Sequence, residues 1–98
     1  MSIARLIFIK VAPEQVDEAM RVWKQQCAPL MISTPGCLSE ELLRSTDTPG
    51  ELISYSMWRT YDDIERYRVS DEHEQIKEHS RPLSSGDRPI VKLYEVAG

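Results

Sequence analysis

The order in which the apolar periodicity changes along the chain is the feature that most limits its fold. Near-continuous apolarity from Ile3 to Val11 is typical of a central strand, and an apolar residue at every third or fourth position from Val16 to Leu30 indicates a helix. The later patterns predict strands at Cys37 to Arg44 and at Leu52 to Trp58. A helical region from Tyr61 to about Val69 and a last strand from Ile90 to Val96 follow. This strand, helix, strand, strand, helix, strand order predicts a ferredoxin-like α+β fold with a four-stranded antiparallel sheet.

Helix-boundary and turn residues agree with these divisions. Pro13 suits the first turn of the first helix, and Pro29 should kink or end that helix near its last turn. Thr60 is a candidate N-cap with Asp63 three residues later, and Ser70 is a second one. The segment "SDEHEQIKEH" is therefore either a separate short helix or a continuation after a bend. "TPGE" predicts a hairpin turn, and "RPLSSGDRP" predicts a loop.

Length and charge limit the class of protein. A chain of 98 residues without linkers suits a single domain over residues 1–98, and such a chain buries only about 65% of its unfolded surface. A sheet face or helix stripe could thus need a second subunit to cover it. The net charge of −4 makes nucleic acid a poor partner. No apolar run is long enough to span a membrane or to act as a secretion signal, so we expect a cytoplasmic protein.

Several kinds of site are disfavoured by spacing. The two cysteines, Cys27 and Cys37, lie far in sequence from both histidines, and we expect them to be reduced, buried side chains without a metal. The four glycines do not form a phosphate-binding loop, and no GxSxG motif is present.

The two histidines are candidates for acid–base chemistry. His73 and His79 flank Ile76 on a helix but point about 120° apart, which disfavours a shared metal while allowing one of them to face a pocket beside Ile76. We expect His79 to be the more buried and His73 to lie nearer solvent, neutral at the helix N-terminus. The alternative is that both are packing or surface histidines.

Aromatic side chains are concentrated between Tyr55 and Tyr67. Strand alternation places Tyr55 and Trp58 on opposite faces, so only one of them can face a given pocket. Tyr61 and Tyr67 diverge around a helix, so only one of them can point inward. These residues either line a site or form the rim of a small core. The neighbouring arginines alternate with acids, a pattern typical of a solvated face.

The segment "TPGCLSEELLRSTDTPGELISYSMWRTYDDIERYRVSDEH", Thr34 to His73, resembles the antibiotic biosynthesis monooxygenase (ABM) domain family. The matching residues are those of the two Pro-Gly turns together with Cys37, Glu51, Tyr55, Trp58, Ser70 and His73. The resemblance extends over nearly the whole chain. It implies a homodimer in which two sheets form an α+β barrel, with a pocket between each sheet and its own helices.

The resemblance also implies an activity. Family members include oxygenases that oxidise anthrone-like or hydroquinone-like aromatics without a cofactor, and enzymes that degrade haem. The chain has no asparagine, and Tyr67 and Lys77 stand where the haem-degrading branch has tryptophan and histidine, which disfavours that branch. In the cofactor-free branch Ser54 replaces an asparagine four residues before Trp58, and its hydroxyl can still donate one hydrogen bond.

The resulting hypothesis is a cofactor-independent monooxygenase for a small aromatic molecule. His73 or His79 would be the base and Trp58 would hold the ring, while the substrate-binding candidates are Ser54, Tyr55, Tyr67 and Ile76. Two alternatives remain: a non-catalytic dimer that binds a small ligand or serves as a stress accessory protein, and an isomerase that uses the same base without oxygen.

Overall fold

The computed structural model describes residues 2–83 and 88–97. Its strands are β1 (Ile3–Lys10), β2 (Cys37–Arg44), β3 (Glu51–Trp58) and β4 (Ile90–Glu95). Its α-helices are α1 (Val16–Val22), α2 (Ala28–Ile32), α3 (Tyr61–Arg68) and α4 (Asp71–Ser80). The order confirms the predicted fold class, and each predicted strand lies within one residue of its observed bounds.

The four strands form one antiparallel sheet in the order β2-β3-β1-β4. Arg5 on β1 lies opposite Ser56 on β3 and Leu93 on β4, and Glu40 on β2 continues this row beyond Ser56. The central position of β1 agrees with its near-continuous apolarity. The row brings an arginine and a glutamate onto the same face of the sheet as the helices.

The helix after β1 is continuous but not regular. It begins with a 3₁₀ turn at Pro13–Gln15, and a π turn at Trp23–Cys27 separates α1 from α2. The amide of Ala28 donates to the carbonyl of Trp23, five residues earlier, just before Pro29, which has no amide hydrogen to donate. Pro29 thus distorts the helix as predicted but does not end it, because the helix continues to Ile32.

The π turn also changes which residues reach the core. An extra residue in one turn rotates the following part of the helix, so the buried series is Trp23, Cys27 and Met31. Leu30, predicted to belong to the apolar stripe, is only half-buried, while Met31 is fully buried.

The second helical region is two helices rather than one. The Thr60 hydroxyl accepts a hydrogen bond from the amide of Asp63, and the Ser70 hydroxyl accepts one from the amide of His73. Both predicted N-caps are therefore confirmed. Of the predicted loop "RPLSSGDRP", Arg81–Leu83 is a 3₁₀ turn, and residues 84–87 lie outside the described residues.

All helices lie on one face of the sheet. The buried core on that side contains Trp58 and Leu52 of β3 together with Trp23, Met31, Ile64, Tyr67 and Ile76 of the helical segments. The opposite face, which we call the outer face, bears Leu6, Phe8, Ile53, Tyr55, Met57, Ile90 and Tyr94. Within the described residues no helix covers the outer face, and Ile90 and Tyr94 are 59% and 52% exposed. Among the same residues, no helix is long and apolar enough to cross a membrane.

Candidate active site

A cavity of about 640 Å³ lies between the sheet and the helices. Its floor is the helix-side face of β1, its far wall is the π turn with α1, and α3, α4 and β4 surround the remainder. Most of the lining is apolar, and its polar side chains include Arg5, Tyr67 and His73. This volume and composition are typical of pockets for small organic molecules.

His73 is placed in this cavity by the start of α4. Its backbone amide is held by the Ser70 hydroxyl at 3.2 Å, and its ring Nδ1 lies 3.0 Å from the carbonyl oxygen of Arg68. A carbonyl can only accept, so Nδ1 carries the hydrogen and Nε2 of the neutral ring retains a free lone pair. Burial lowers the pKa of His73 below its ordinary value of 6.5. The ring is thus suited to accept a proton at neutral pH.

Tyr67 is the centre of an aromatic cluster beside His73. Its ring centroid lies 4.9 Å from that of His73, edge on, and 5.0 Å from that of Trp58. Trp58 is fully buried, and its indole Nε1 donates to the Ser56 hydroxyl at 2.9 Å. Burial raises the pKa of Tyr67, so its phenol remains protonated and able to donate a hydrogen bond.

Arg5 is a buried cation at the floor of the cavity. Its side chain is 4% exposed, and its guanidinium carbon lies 5.7 Å from the centre of the Tyr67 ring, over the face of the ring. Neither Nε nor Nη1 has a hydrogen-bond partner among the described residues. Burial lowers the pKa of Arg5, although a guanidinium keeps its charge at neutral pH. The cavity therefore holds a positive charge for which the described residues provide no ion-pair partner.

Glu40 is a half-buried carboxylate on the β2 side of the sheet. Its Oε1 accepts hydrogen bonds from Trp23 Nε1 at 2.9 Å and from the Ser54 hydroxyl at 3.0 Å, while its Oε2 has no partner among the described residues. Burial raises the pKa of Glu40 to about 7. Glu40 does not line this cavity; it lines a second pocket beside α1.

The structure brings together some of the residues singled out from sequence and separates others. His73, Tyr67 and Ile76 line the cavity, and Trp58 packs directly behind Tyr67. Ser54 is on the helix side but fully buried, with its hydroxyl donated to Glu40. Tyr55 lies on the outer face, as the alternation with Trp58 requires.

The expected exposures of the two histidines were reversed. His79 is exposed and does not line the cavity, whereas His73 is half-buried and does. Ile76 is the buried residue of α4. The capping bond to Ser70 and the contact with the Tyr67 ring hold His73 on the same side of the helix. Tyr61 is exposed, so Tyr67 is the helix tyrosine that points inward.

Arg5 and Glu40 were not identified as site residues from sequence. The available signal for Arg5 was a charge inside a strand predicted to be buried on both faces. For Glu40 there was little signal, because it is one of two adjacent glutamates on β2, and only the register shows which one faces the helices.

Neither a metal cluster nor a reactive thiol is found in the part of the chain that the structure describes. No group of three or more histidine, cysteine or acidic side chains could hold a metal ion there. Cys27 and Cys37 are free, and burial raises the pKa of both thiols to about 11, so they remain protonated at neutral pH. Cys27 is fully buried as expected, while Cys37 is half-buried.

Solved structures share the fold over nearly the entire chain. A candidate antibiotic biosynthesis monooxygenase from Bordetella bronchiseptica is 21% identical, with a TM-score of 0.86 over 98% of this chain and 97% of that one. One from Caulobacter crescentus is also 21% identical, with a TM-score of 0.84 over 99% and 91%. SnoaB, a cofactor-independent oxygenase from Streptomyces nogalater solved as a mutant, is 19% identical, with a TM-score of 0.80 over 99% and 94%.

Sequence comparison gives the family. No curated protein sequence matches the chain significantly. The family model described as antibiotic biosynthesis monooxygenase matches residues 2–79, which include β1 to β3, α1 to α3, all but the last residue of α4, and the lining residue His73. The chain therefore belongs to the antibiotic biosynthesis monooxygenase family.

Proposed function

We propose that the protein is a cofactor-independent monooxygenase that oxidises a small aromatic, hydroquinone-like or anthrone-like molecule in the cavity between sheet and helices. The observation that carries the proposal is His73, which lines a largely apolar cavity while the Arg68 carbonyl accepts from its Nδ1, so that Nε2 of the neutral ring is the basic nitrogen. Family membership and the fold shared with SnoaB support the same class of reaction.

The chemistry requires the protein to supply a base and a dry site. Transfer of a proton from a phenol or an activated C–H of the substrate to His73 leaves an electron-rich anion that reduces O₂. Oxygen adds at the carbon to give a hydroperoxide once a proton returns, and loss of water then leaves a carbonyl. A CH₂ group thus becomes C=O, one oxygen atom enters the product and the other leaves as water, and all four electrons come from the substrate.

The aromatic cluster would position the ring. Tyr67 presents both a ring and a protonated phenol beside His73, and Trp58 stiffens Tyr67 from behind. The apolar lining excludes water that would otherwise protonate the anion. Because the Ser54 hydroxyl is donated to Glu40, Tyr67 is the better placed neutral donor for a substrate oxygen.

We also propose that the protein is a homodimer in which two outer faces pack together. The outer face bears seven large apolar side chains beside charged ones such as Glu41 and Lys92, and no helix covers it in the described part of the chain. It lies on a sheet whose other face already forms the core. A second copy of the chain would bury it, as the resemblance implies.

Oxygen consumption without an added cofactor tests the reaction. The purified protein is mixed with a panel of hydroquinones and anthrones in an oxygen-electrode cell, and incorporation of one ¹⁸O atom per product from ¹⁸O₂ is measured by mass spectrometry. We expect oxygen uptake with at least one compound and one labelled atom in the product. Uptake that depends on added flavin or metal would contradict the proposal.

An anaerobic control separates oxidation from isomerisation. Exchange of the activated C–H in D₂O, followed by NMR, reports the proton-transfer step by itself. Exchange without any oxygen uptake in air would favour an isomerase. The absence of both exchange and oxygen uptake would favour a ligand-binding protein.

A further inference from the structure

The charge in the cavity identifies a property of its ligand. The chain has a net charge of −4, but cations predominate in the lining of its cavity. Five of the charged lining side chains are lysine or arginine and one is glutamate, namely Arg5, Lys10, Arg68, Lys77, Arg81 and Glu65. Arg68 and Lys77 form ion pairs with Glu65 and Glu74 on their own helices, at 3.3 and 2.9 Å. The four side chains of these pairs are about half exposed, whereas Arg5 is buried.

Arg5 differs from the other cations because it is buried and unpaired. No acidic side chain forms an ion pair with it among the described residues, and Nε and Nη1 lack hydrogen-bond partners. The face of Tyr67 provides a partial electrostatic contact but no acceptor for these N–H groups. Glu40 faces the same side of the sheet and its charge raises the pKa of Arg5 against the larger lowering by burial, but Ser56 separates the two in the strand register and no hydrogen bond or ion pair joins them among the described residues.

Arg5 lines the cavity, and within the described part of the chain its charge has no ion-paired acid. A buried unpaired cation is costly, so an anionic group on the ligand would offset its charge. We propose that Arg5 binds an anionic oxygen on an aromatic ligand, and that the cavity therefore selects aromatic acids or phenolates over their neutral analogues. A guanidinium is suited to this because it keeps its charge at neutral pH and donates charge-assisted hydrogen bonds to carboxylate, phenolate or enolate oxygens. The inference rests on the proposed function in that it concerns the same cavity, and Arg5 would stabilise the substrate anion on which that reaction depends.

The test is equilibrium binding under anaerobic conditions, so that no turnover is involved. Tryptophan fluorescence and calorimetry give dissociation constants for two matched pairs, 2-naphthoate against 2-naphthamide and 4-nitrophenolate against nitrobenzene. We expect the wild type to bind at least one anion tenfold or more tightly than its neutral partner. Preference in the first pair indicates a carboxylate ligand, and preference confined to the second pair indicates a phenolate or enolate.

Arg5→Met removes the cation while keeping an unbranched side chain of similar length. We expect this variant to bind the anion and its neutral partner within about threefold of each other, and to melt at the same temperature as the wild type or higher. Arg21→Met makes the same exchange on the exposed side of α1, outside the main cavity, and should retain the wild-type preference.

Three results would overturn the inference: equal binding of anion and neutral analogue by the wild type, no measurable binding of either anion, or an undiminished preference in Arg5→Met. The outcome is independent of oxygen chemistry. Selective anion binding without oxygen uptake would remove the proposed monooxygenase reaction and leave the assignment of Arg5 in place.

Discussion

His73 is the residue whose replacement tests the reaction most directly. Substitution His73→Ala removes the only histidine that lines the cavity among the described residues. We expect kcat to fall by about a hundredfold or more, since a positioned base contributes roughly that much. The measurement is steady-state oxygen uptake with the best substrate of the panel.

His79→Ala is the matched control for that variant. His79 lies on the same helix, six residues later, but is exposed and outside the cavity. Its rate should stay within twofold of the wild type, and equal losses in the two variants would contradict the assignment. Burial lowers the pKa of His73 in the free protein, and a base must be neutral to act, so the acid limb of kcat/KM should have its midpoint below pH 6.5.

Glu40 gives a prediction about stability rather than rate. Burial raises its pKa from 4.5 to about 7 in the folded protein, so the folded state favours the protonated carboxyl. The stabilisation is fully present below pH 4.5 and is lost as the pH rises through about 7. Glu40→Gln removes the titrating carboxyl and with it this loss. Between pH 4.5 and 8, the free energy of unfolding of the variant should therefore decrease by about 1–3 kcal/mol less than that of the wild type. Denaturant titrations at the two pH values measure it.

Glu78→Gln serves as the control for Glu40, because Glu78 is an exposed carboxylate on α4. It should keep the pH dependence of the wild type. An unchanged pH dependence in Glu40→Gln would show that burial does not control the protonation of this carboxyl.

At the level of the element, the start of α4 connects stability to the site. The Ser70 hydroxyl donates to the carbonyl of Tyr67 at 2.6 Å and also accepts from the amide of His73. Ser70→Ala should lower the free energy of unfolding by about 1 kcal/mol, the usual contribution of an N-cap. Urea denaturation followed by circular dichroism measures the change.

Ser33→Ala isolates the capping contribution. The Ser33 hydroxyl likewise donates to a carbonyl three residues earlier, that of Leu30 at 2.7 Å, but Ser33 does not cap a following helix. Ser33→Ala should lower the free energy of unfolding by less than half as much as Ser70→Ala. Equal decreases in the two variants would mean that the hydrogen bond from the His73 amide to Ser70 does not stabilise the protein.

The helices also show where periodicity ceases to predict packing. Thr60 and Ser70 could be predicted as caps because capping depends on a few adjacent residues. The burial of Met31 could not, because it depends on a π turn that shifts the helix by one residue ahead of Pro29. A rule that assumes an uninterrupted 3.6-residue period cannot predict that shift.

At the level of the whole molecule, the outer face predicts the oligomeric state. Light scattering should give a mass of twice the 11.3 kDa of the chain. Ile53 lies in the middle of this face, opposite Phe8 on β1 and Leu43 on β2. Ile53→Lys places a charge in the proposed interface, and we expect it to shift the protein toward the monomer mass.

Val69→Lys introduces the same charge where no interface is proposed. Val69 lies between α3 and α4 and is 87% exposed. This variant should keep the mass of the wild type. A wild-type monomer, or a dimer that tolerates Ile53→Lys, would contradict packing through the outer face.

The element order, the strand faces and the helix caps could be predicted from the sequence, because they follow from periodicity and from neighbours a few residues apart. The family could be predicted as well, through a pattern that extends from the Pro-Gly turns to His73. Which polar groups meet could not be predicted in this way, because it depends on contacts between distant parts of the chain. Arg5 and Tyr67 are more than sixty residues apart in sequence and are brought together by strand register and helix packing. The exposures of His73 and His79 were decided in the same way, because burial depends on what packs against a helix from elsewhere in the chain.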